Sequence, residues 1–255
     1  MLIEAQGISV AIGGRTVLDG ETVHCTSGIM TALVGPSGCG KTTLLHCLGL
    51  LLPVNQGRIL IDGDDVTSYG TAARRRFWRD HAAFVLQDYG IMDEESVAFN
   101  VTMQTSVLGR RVTGNQERLA QALEQTGLQG REGELASRLS GGEKQRLALA
   151  RAIYKDAAIL YADEPTASLD ATNRRKVIDL FADFAARGRT VIVSTHDSEM
   201  INACDARHEV GSNSSSHHSS TSDPVSLEAL GKSRHREGWV SHGVTLARQN
   251  NRNGM

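Results

Sequence analysis

The sequence predicts an α/β fold with a parallel-sheet core. The first third is β-rich and antiparallel, and a mostly helical block over about residues 90–155 interrupts the two halves of the parallel sheet. Three observations carry this. Residues 157–162 and 190–195 are apolar on both faces, as strands buried in a parallel sheet are. A helical stretch, 170–187, separates them, which implies a right-handed crossover. Gly35-Pro36-Ser37-Gly38-Cys39-Gly40-Lys41-Thr42 reads G-x-x-x-x-G-K-T. It follows an apolar run, 30–34, and opens a helix-like segment, 41–51, which is the context of a phosphate-binding loop.

Composition narrows the class. The 255 residues suit one large domain or two small ones, and at 40% hydrophobic they suffice for a packed core. Aromatics are only 4%, so aliphatic side chains must fill that core. A net charge of −2 gives no pull toward nucleic acid, and no nucleic-acid partner is expected. Cys25, Cys39, Cys47 and Cys204 lack C-x-x-C spacing, which argues against zinc or a disulfide framework. The start, Met1-Leu2-Ile3-Glu4, has neither the basic opening nor the apolar core of a signal peptide. The longest apolar run, 48–54, contains Pro53 and falls far short of the ~20 residues of a membrane helix. A soluble, cytosolic chain is expected.

Residues 2–10 read as a strand, Gly13-Gly14 as a turn, 16–18 as a short second strand and 22–26 as a third. Residues 57–61 form another, ended by Asp62-Gly63, a hairpin signal. Residues 74–79, rich in arginine, read as a solvated helix face. A short buried strand, 83–86, ends at Gln87. From 96 to about 127 the pattern is helical, with Leu119, Leu123 and Leu128 near one face and Gly127 at a helix end. In 170–187, Val177, Leu180, Phe181 and Phe184 recur at helical spacing and Gly188 ends the run. Residues 211–255, opened by a Ser/His-rich run, lack a core pattern and read as a poorly ordered tail.

Chemistry concentrates in three places. In the phosphate loop, glycines let backbone N–H groups curl around phosphate oxygens, and the following helix start adds its own. Gly35 to Thr43 are the candidate nucleotide-binding residues; Lys41 reaches phosphates and the Thr42 hydroxyl suits Mg²⁺. A second site is the strand ending in Asp163-Glu164. One carboxylate there can hold Mg²⁺ through water and the other can take a proton from an attacking water. The third is Leu139-Ser140-Gly141-Gly142-Glu143-Lys144-Gln145-Arg146, another anion cradle at a helix start. One nucleotide does not need two cradles from one chain, so this one is expected to serve a second copy's nucleotide.

These stretches, in this order, resemble the ATP-binding subunit of an ABC transporter over about residues 1–210. Gly35–Thr42, Gln87, the L-S-G-G-x-x-Q-R run, Asp163-Glu164, Ser168-Leu169-Asp170 and His196 carry the likeness. It looks closest to the lipoprotein-releasing and macrolide-export group, and is similar to ATPases of bacteriocin exporters of the lactococcin 972 type. The resemblance implies a P-loop NTPase (RecA-like) core, ATP and Mg²⁺, and a homodimer or ATPase pair on the cytoplasmic face of a separate integral-membrane permease. By residue it implies that Glu164, His196 and Gln87 are catalytic and that Ser140, Gly141 and Gly142 act in trans. Asp170 would lie at the dimer seam, and Thr42, Gln87 and Asp163 at the metal. Where the family stacks an aromatic residue on adenine, this chain has Ile12. The implied function is export of a peptide, lipoprotein or drug-like substrate; the alternative is a soluble ABC ATPase such as an iron–sulfur assembly factor. The resemblance also implies a groove for a permease helix, with Tyr89, Ile91, Met92, Val97 and Phe99 offering apolar surface, some of them burying against neighbouring helices instead, and Asp93, Glu94 and Glu95 forming the rim.

Overall fold

Strand β1 (Ile3–Ile12) pairs antiparallel with β2 (Arg15–Cys25) on one side and with β4 (Gln56–Ile61) on the other. The two-residue strand β5 (Asp64–Asp65) closes this sheet in the order β2-β1-β4-β5. The expected hairpin holds: Asp62 and Gly63 both have left-handed backbone, with φ of 50° and 88°, as a tight two-residue turn requires. Where two short strands were expected, β2 runs unbroken. Asp19-Gly20 is absorbed as an irregularity in the β1–β2 ladder, with Gly20 at φ 65° and its N–H bonded to the Ser9 hydroxyl.

The computed structural model describes residues 1–86, 90–106, 112–167 and 169–211, all within one compact unit. Gln87, Tyr89, Ser168 and the tail beyond Gly211 therefore lie outside the described residues.

The second sheet is wholly parallel. Its order is β6 (Ala82–Val85), β7 (Ile159–Asp163), β8 (Thr190–Ser194), β3 (Met30–Val34) and β9 (Ala206–Glu209). Helix α1 (Lys41–Leu48) packs Leu44, Leu45 and Leu48 into one cluster with residues of both sheets. There Tyr161 stacks on Phe84 at 5.1 Å and donates its hydroxyl to the Leu48 carbonyl at 2.9 Å, tying β7 to the end of α1. On the other face of the parallel sheet lie α5 (Gly141–Lys155) and α6 (Ala171–Ala186), the latter through Val177, Ile178, Phe181 and Phe184. Leu180 is only half-buried at the margin of that contact. Shorter helices α2 (Thr71–Asp80) and α7 (Ser198–Ala203) flank the strands.

A third cluster joins α3 (Val97–Thr102), α4 (Gln116–Gln125) and the same α5. Helix α5 thus belongs to two cores: Ala148, Leu149 and Ala152 face the sheet, Leu147 and Ala150 the helices. Arg74 turns its guanidinium back to the Tyr69 carbonyl, and Phe77 is the buried residue of α2. The expected groove needs correction. Val97 is fully buried in the third cluster and offers no surface, because the period that places it near Phe99 in sequence turns it inward. Ile91, Met92 and Phe99 are half-buried, and Asp93, Glu94 and Glu95 are exposed. Buried Asn100 clamps this segment, accepting from Met92 N–H and donating to the Met92 carbonyl, both at 2.9 Å.

Gly57 marks the tightest approach in the antiparallel sheet. At φ 83°, an added Cβ would lie 2.4 Å from the Gly7 carbonyl oxygen. Gly57→Ala should cost about 2–4 kcal/mol, strain and clash together, in urea unfolding. Gly63→Ala, at similar φ but with open space, should lose only ~1 kcal/mol. Equal losses would show that β1 and β4 separate freely.

Candidate functional site

The parallel sheet gathers the candidate residues because all its strands end at one edge. The phosphate loop follows β3, Asp163 ends β7 with Glu164 next to it, and His196 follows β8. Within the loop Gly35, Gly38 and Gly40 have φ of 143°, 79° and 101°. A Cβ on Gly40 would lie 2.6 Å from Leu18 Cδ2, and one on Gly35 would lie 2.8 Å from Cys39 Sγ, so both positions demand glycine for space as well as conformation. The Lys41 ammonium folds back over the loop and donates to the carbonyls of Gly35 (3.0 Å) and Pro36 (3.2 Å). Thr42 Oγ1 donates to Asp163 Oδ1 at 3.1 Å, so a hydroxyl from the helix start and a carboxylate from the strand end meet at one point.

Glu164 sits just beyond. Its backbone is left-handed, φ 47°, a costly state for a residue with a Cβ, and its N–H is held by the Ser194 carbonyl at 2.8 Å. Its Oε1 faces His196 Nδ1 at 2.9 Å. Its Oε2 is buried with no hydrogen-bond partner among the described residues. Ser37, Lys41, Thr42, Thr43, Val17 and Glu164 line one cavity of about 270 Å³. The side chain of His196 is 72% exposed, and Ile12 is 52% exposed at the β1–β2 turn.

Ser140, Gly141 and Gly142 are not among the residues lining that cavity. Ser140 caps α5, and its hydroxyl takes part in a capping box, accepting from Glu143 N–H while the Glu143 carboxylate takes bonds from Ser140 N–H and Oγ–H, both at 2.8 Å. Arg131 grips Glu143 and Glu134 together. Burial works against ionised Glu143, but the Ser140 hydrogen bonds and the Arg131 guanidinium outweigh it and hold the carboxyl below its ordinary range. Gly142 is buried where a Cβ would stand 3.1 Å from Leu169 and 3.2 Å from Asn173. Asp170 caps α6 through Asn173 N–H at 2.8 Å and is exposed; that bond lowers its carboxyl pKa. Gln87 lies outside the described residues.

An ABC transporter family model matches residues 18–167. The chain belongs to the ABC transporter family. With its phosphate loop and signature run it is an ATP-binding cassette of that family. The cassette is 36% identical over 205 residues to the lipoprotein-releasing system ATP-binding protein LolD of Bacteroides fragilis (strain YCH46), spanning 80% of this chain and 95% of the relative. It is 34% identical over 203 residues to the macrolide export ATP-binding/permease protein MacB of Escherichia coli, spanning 78% of this chain but 31% of that longer protein. Against the methionine import ATP-binding protein MetN of Caulobacter vibrioides it is 32% identical over 197 residues, 76% of this chain and 59% of the relative. Among solved structures it resembles a dimeric ATP-binding cassette in a post-hydrolysis state bound to ADP and Pi, with a TM-score of 0.71 and 25% identity over 82% of this chain and 94% of that one.

Two positioning residues of the cassette escape a reading by motif. Asn173 donates to Asp170 Oδ2 at 2.7 Å and accepts from buried Arg146 at 2.9 Å, linking the α6 cap to the signature helix. Asp197, after His196, accepts from Thr166 at 2.8 Å and pairs with Arg174, so the segment after Glu164 is tied to the one after β8. The bonds from Arg146 to Asn173 and from Thr166 to Asp197 join residues far apart in the chain and have no local spacing to betray them; the Ser140-x-x-Glu143 capping box does. Asn173→Ala leaves the buried Arg146 guanidinium short of an acceptor. It should lower stability by about 1–3 kcal/mol, read as the urea midpoint. No change would mean that Arg146 finds another partner.

Proposed function

We propose that two copies of this cassette close face to face on two ATP molecules, and that hydrolysis drives a separate permease at whose cytoplasmic face they sit. The observation that carries this is the split of the machinery. One sheet edge gathers the phosphate loop, Thr42, Asp163, Glu164 and His196, while the signature's Ser140, Gly141 and Gly142 lie outside that cavity on another helix start. A second copy's signature completes the site from the opposite side, and Asp170, exposed, takes its place at the seam.

In this reading the N–H groups of Gly35 to Thr43 cradle the phosphates, and Lys41 exchanges the loop carbonyls for phosphate oxygens. The donors at Thr42 and Asp163 fit Mg²⁺, a hard cation that takes one or two protein oxygens beside phosphates. When bound there, Mg²⁺ neutralises charge on the β and γ phosphates. Glu164 Oε2, without a partner among the described residues, accepts the proton of the attacking water. His196 holds the γ-phosphate, and Gln87 reports its presence to the helical block of residues 90–155. The ATP-binding domain then spans 1–210, with 211–255 a tail beyond it. The named relatives act in transport, which favours this reading over the assembly-factor alternative. Two of them act in lipoprotein release and macrolide export, which favours export of a peptide, lipoprotein or drug-like substrate.

Glu164→Gln removes the base and leaves the phosphate cradle intact. ATP affinity should stay near wild type and hydrolysis should fall by about 10²–10⁴-fold. Light scattering of this variant with MgATP should show a dimer. Turnover at the wild-type rate would remove Glu164 from its role, and a monomer with ATP saturating would break the two-copy site. Lys41→Ala should lose ATP binding outright.

A further inference from the structure

Glu21 on β2 is 1% exposed and belongs to none of the three sequence motifs. A glutamate is seldom buried so fully unless its oxygens are held. Here both are. Oε1 accepts from Gly211 N–H at 2.7 Å, and Oε2 lies 3.0 Å from His208 Nε2 on β9. The irregularity at Asp19-Gly20 aims the side chain. Ile8 pairs with Glu21 and Val10 with Leu18, so two residues of β2 stand opposite one of β1. That extra residue breaks the alternation and turns Glu21 inward together with Leu18 and Val23.

The contact joins the two sheets at their edges: β2 ends the order of the antiparallel sheet and β9 that of the parallel one. The phosphate loop touches both strands. At its start, a Cβ on Gly35 would lie 3.1 Å from the Val210 carbonyl oxygen, at the exit of β9. At its end, a Cβ on Gly40 would lie 3.0 Å from the Val17 carbonyl oxygen, on β2. Val210 N–H is held by the Val34 carbonyl at 2.9 Å, one residue before the loop. Glu21, Pro36, Cys39 and Gly211 line one cavity of about 330 Å³.

We propose that Glu21, paired with His208, is a positioning residue for ATP: it ties β2 to the exit of β9 and so fixes the two walls between which the phosphate loop keeps its shape. The inference rests on the reading of Gly35 to Thr43 as the phosphate cradle. A nest of backbone N–H groups holds an anion only while it stays folded inward, so slack in the walls lowers affinity. Glu21 is not among the residues lining the cavity shared by Lys41, Thr42 and Glu164, so it acts through the loop. Thr42, Asp163, Glu164 and His196 stand on other elements, and the chemical step at saturating ATP does not depend on the tie.

The test compares full-length variants in steady-state ATP hydrolysis. Glu21→Ala should raise KM for ATP about tenfold, the scale of one lost buried hydrogen bond, with kcat within about twofold of wild type. Glu21→Gln keeps an oxygen for Gly211 N–H and an amide facing His208, and should bring KM back to within about twofold. Should Glu21→Ala fail to fold by its thermal midpoint, Glu21→Leu combined with His208→Leu fills the space with apolar side chains and still lacks the tie; it should fold and show the raised KM. In nucleotide-free protein, amide hydrogen exchange over residues 35–43 should be several-fold faster without the tie. A folded variant lacking the tie whose KM matches wild type overturns the proposal, whatever its thermal midpoint. So does a rise in KM as large in Glu21→Gln as in Glu21→Ala. Lys41→Ala is the control: ATP binding as tight as wild type there would strike the cradle reading instead, and the exchange comparison would still judge whether Glu21 holds the loop.

Discussion

One row of the parallel ladder holds the site together. Leu33 on β3 stands beside Ser194 on β8, and Ser194 stands beside Asp163 on β7. Because parallel strands run in step, the residues that follow must also emerge side by side. Thr195 N–H reaches the Leu33 carbonyl and Glu164 N–H the Ser194 carbonyl, continuing the ladder past its last pairs. A slip of one residue in any of these strands would turn Asp163 to the opposite face and part it from Thr42. Side chains on both faces of β7 and β8 are close-packed, so a slip would break that packing on each face. Precision at the polar edge is thus set by packing in the apolar interior.

Helix α5 carries that precision outward. It starts at the signature, spans two hydrophobic clusters and ends in Lys155, clamped to carbonyls beside α2 and β6. Along its length Arg146 grips Asn173 on α6 and Arg151 grips Asn100 on α3. A helix anchored at so many points moves as a rod, so a displacement felt at Ser140 is delivered at the far end rather than absorbed between.

Much of this was readable from the chain. The phosphate loop, the Asp163-Glu164 strand end and the signature are each contiguous, and their backbone requirements fall on a few adjacent residues. The apolar runs of β7 and β8 declare themselves by composition. What escaped was long-range. Residue 20 is a glycine after an aspartate, a turn signal by local rule, yet pairing with β1 carries the strand through it. Val97 looked like groove surface because its burial depends on where α4 and α5 lie. Asn173 has no motif, since its partners are Asp170 nearby and Arg146 on another helix. Gln87 was legible by its place in the motif order but lies outside the described residues.

On the two-copy reading proposed above, the capping box at Ser140 bears on how firmly two such molecules can hold one another. Its hydroxyl is already satisfied by Glu143, and Arg131 keeps that carboxylate in place. Any anion offered from outside must displace an internal one, so one hydrogen bond is exchanged for another and little free energy is released. An unoccupied hydroxyl would grip harder and let go more slowly. On that reading, a contact poised near balance favours release after each cycle over grip.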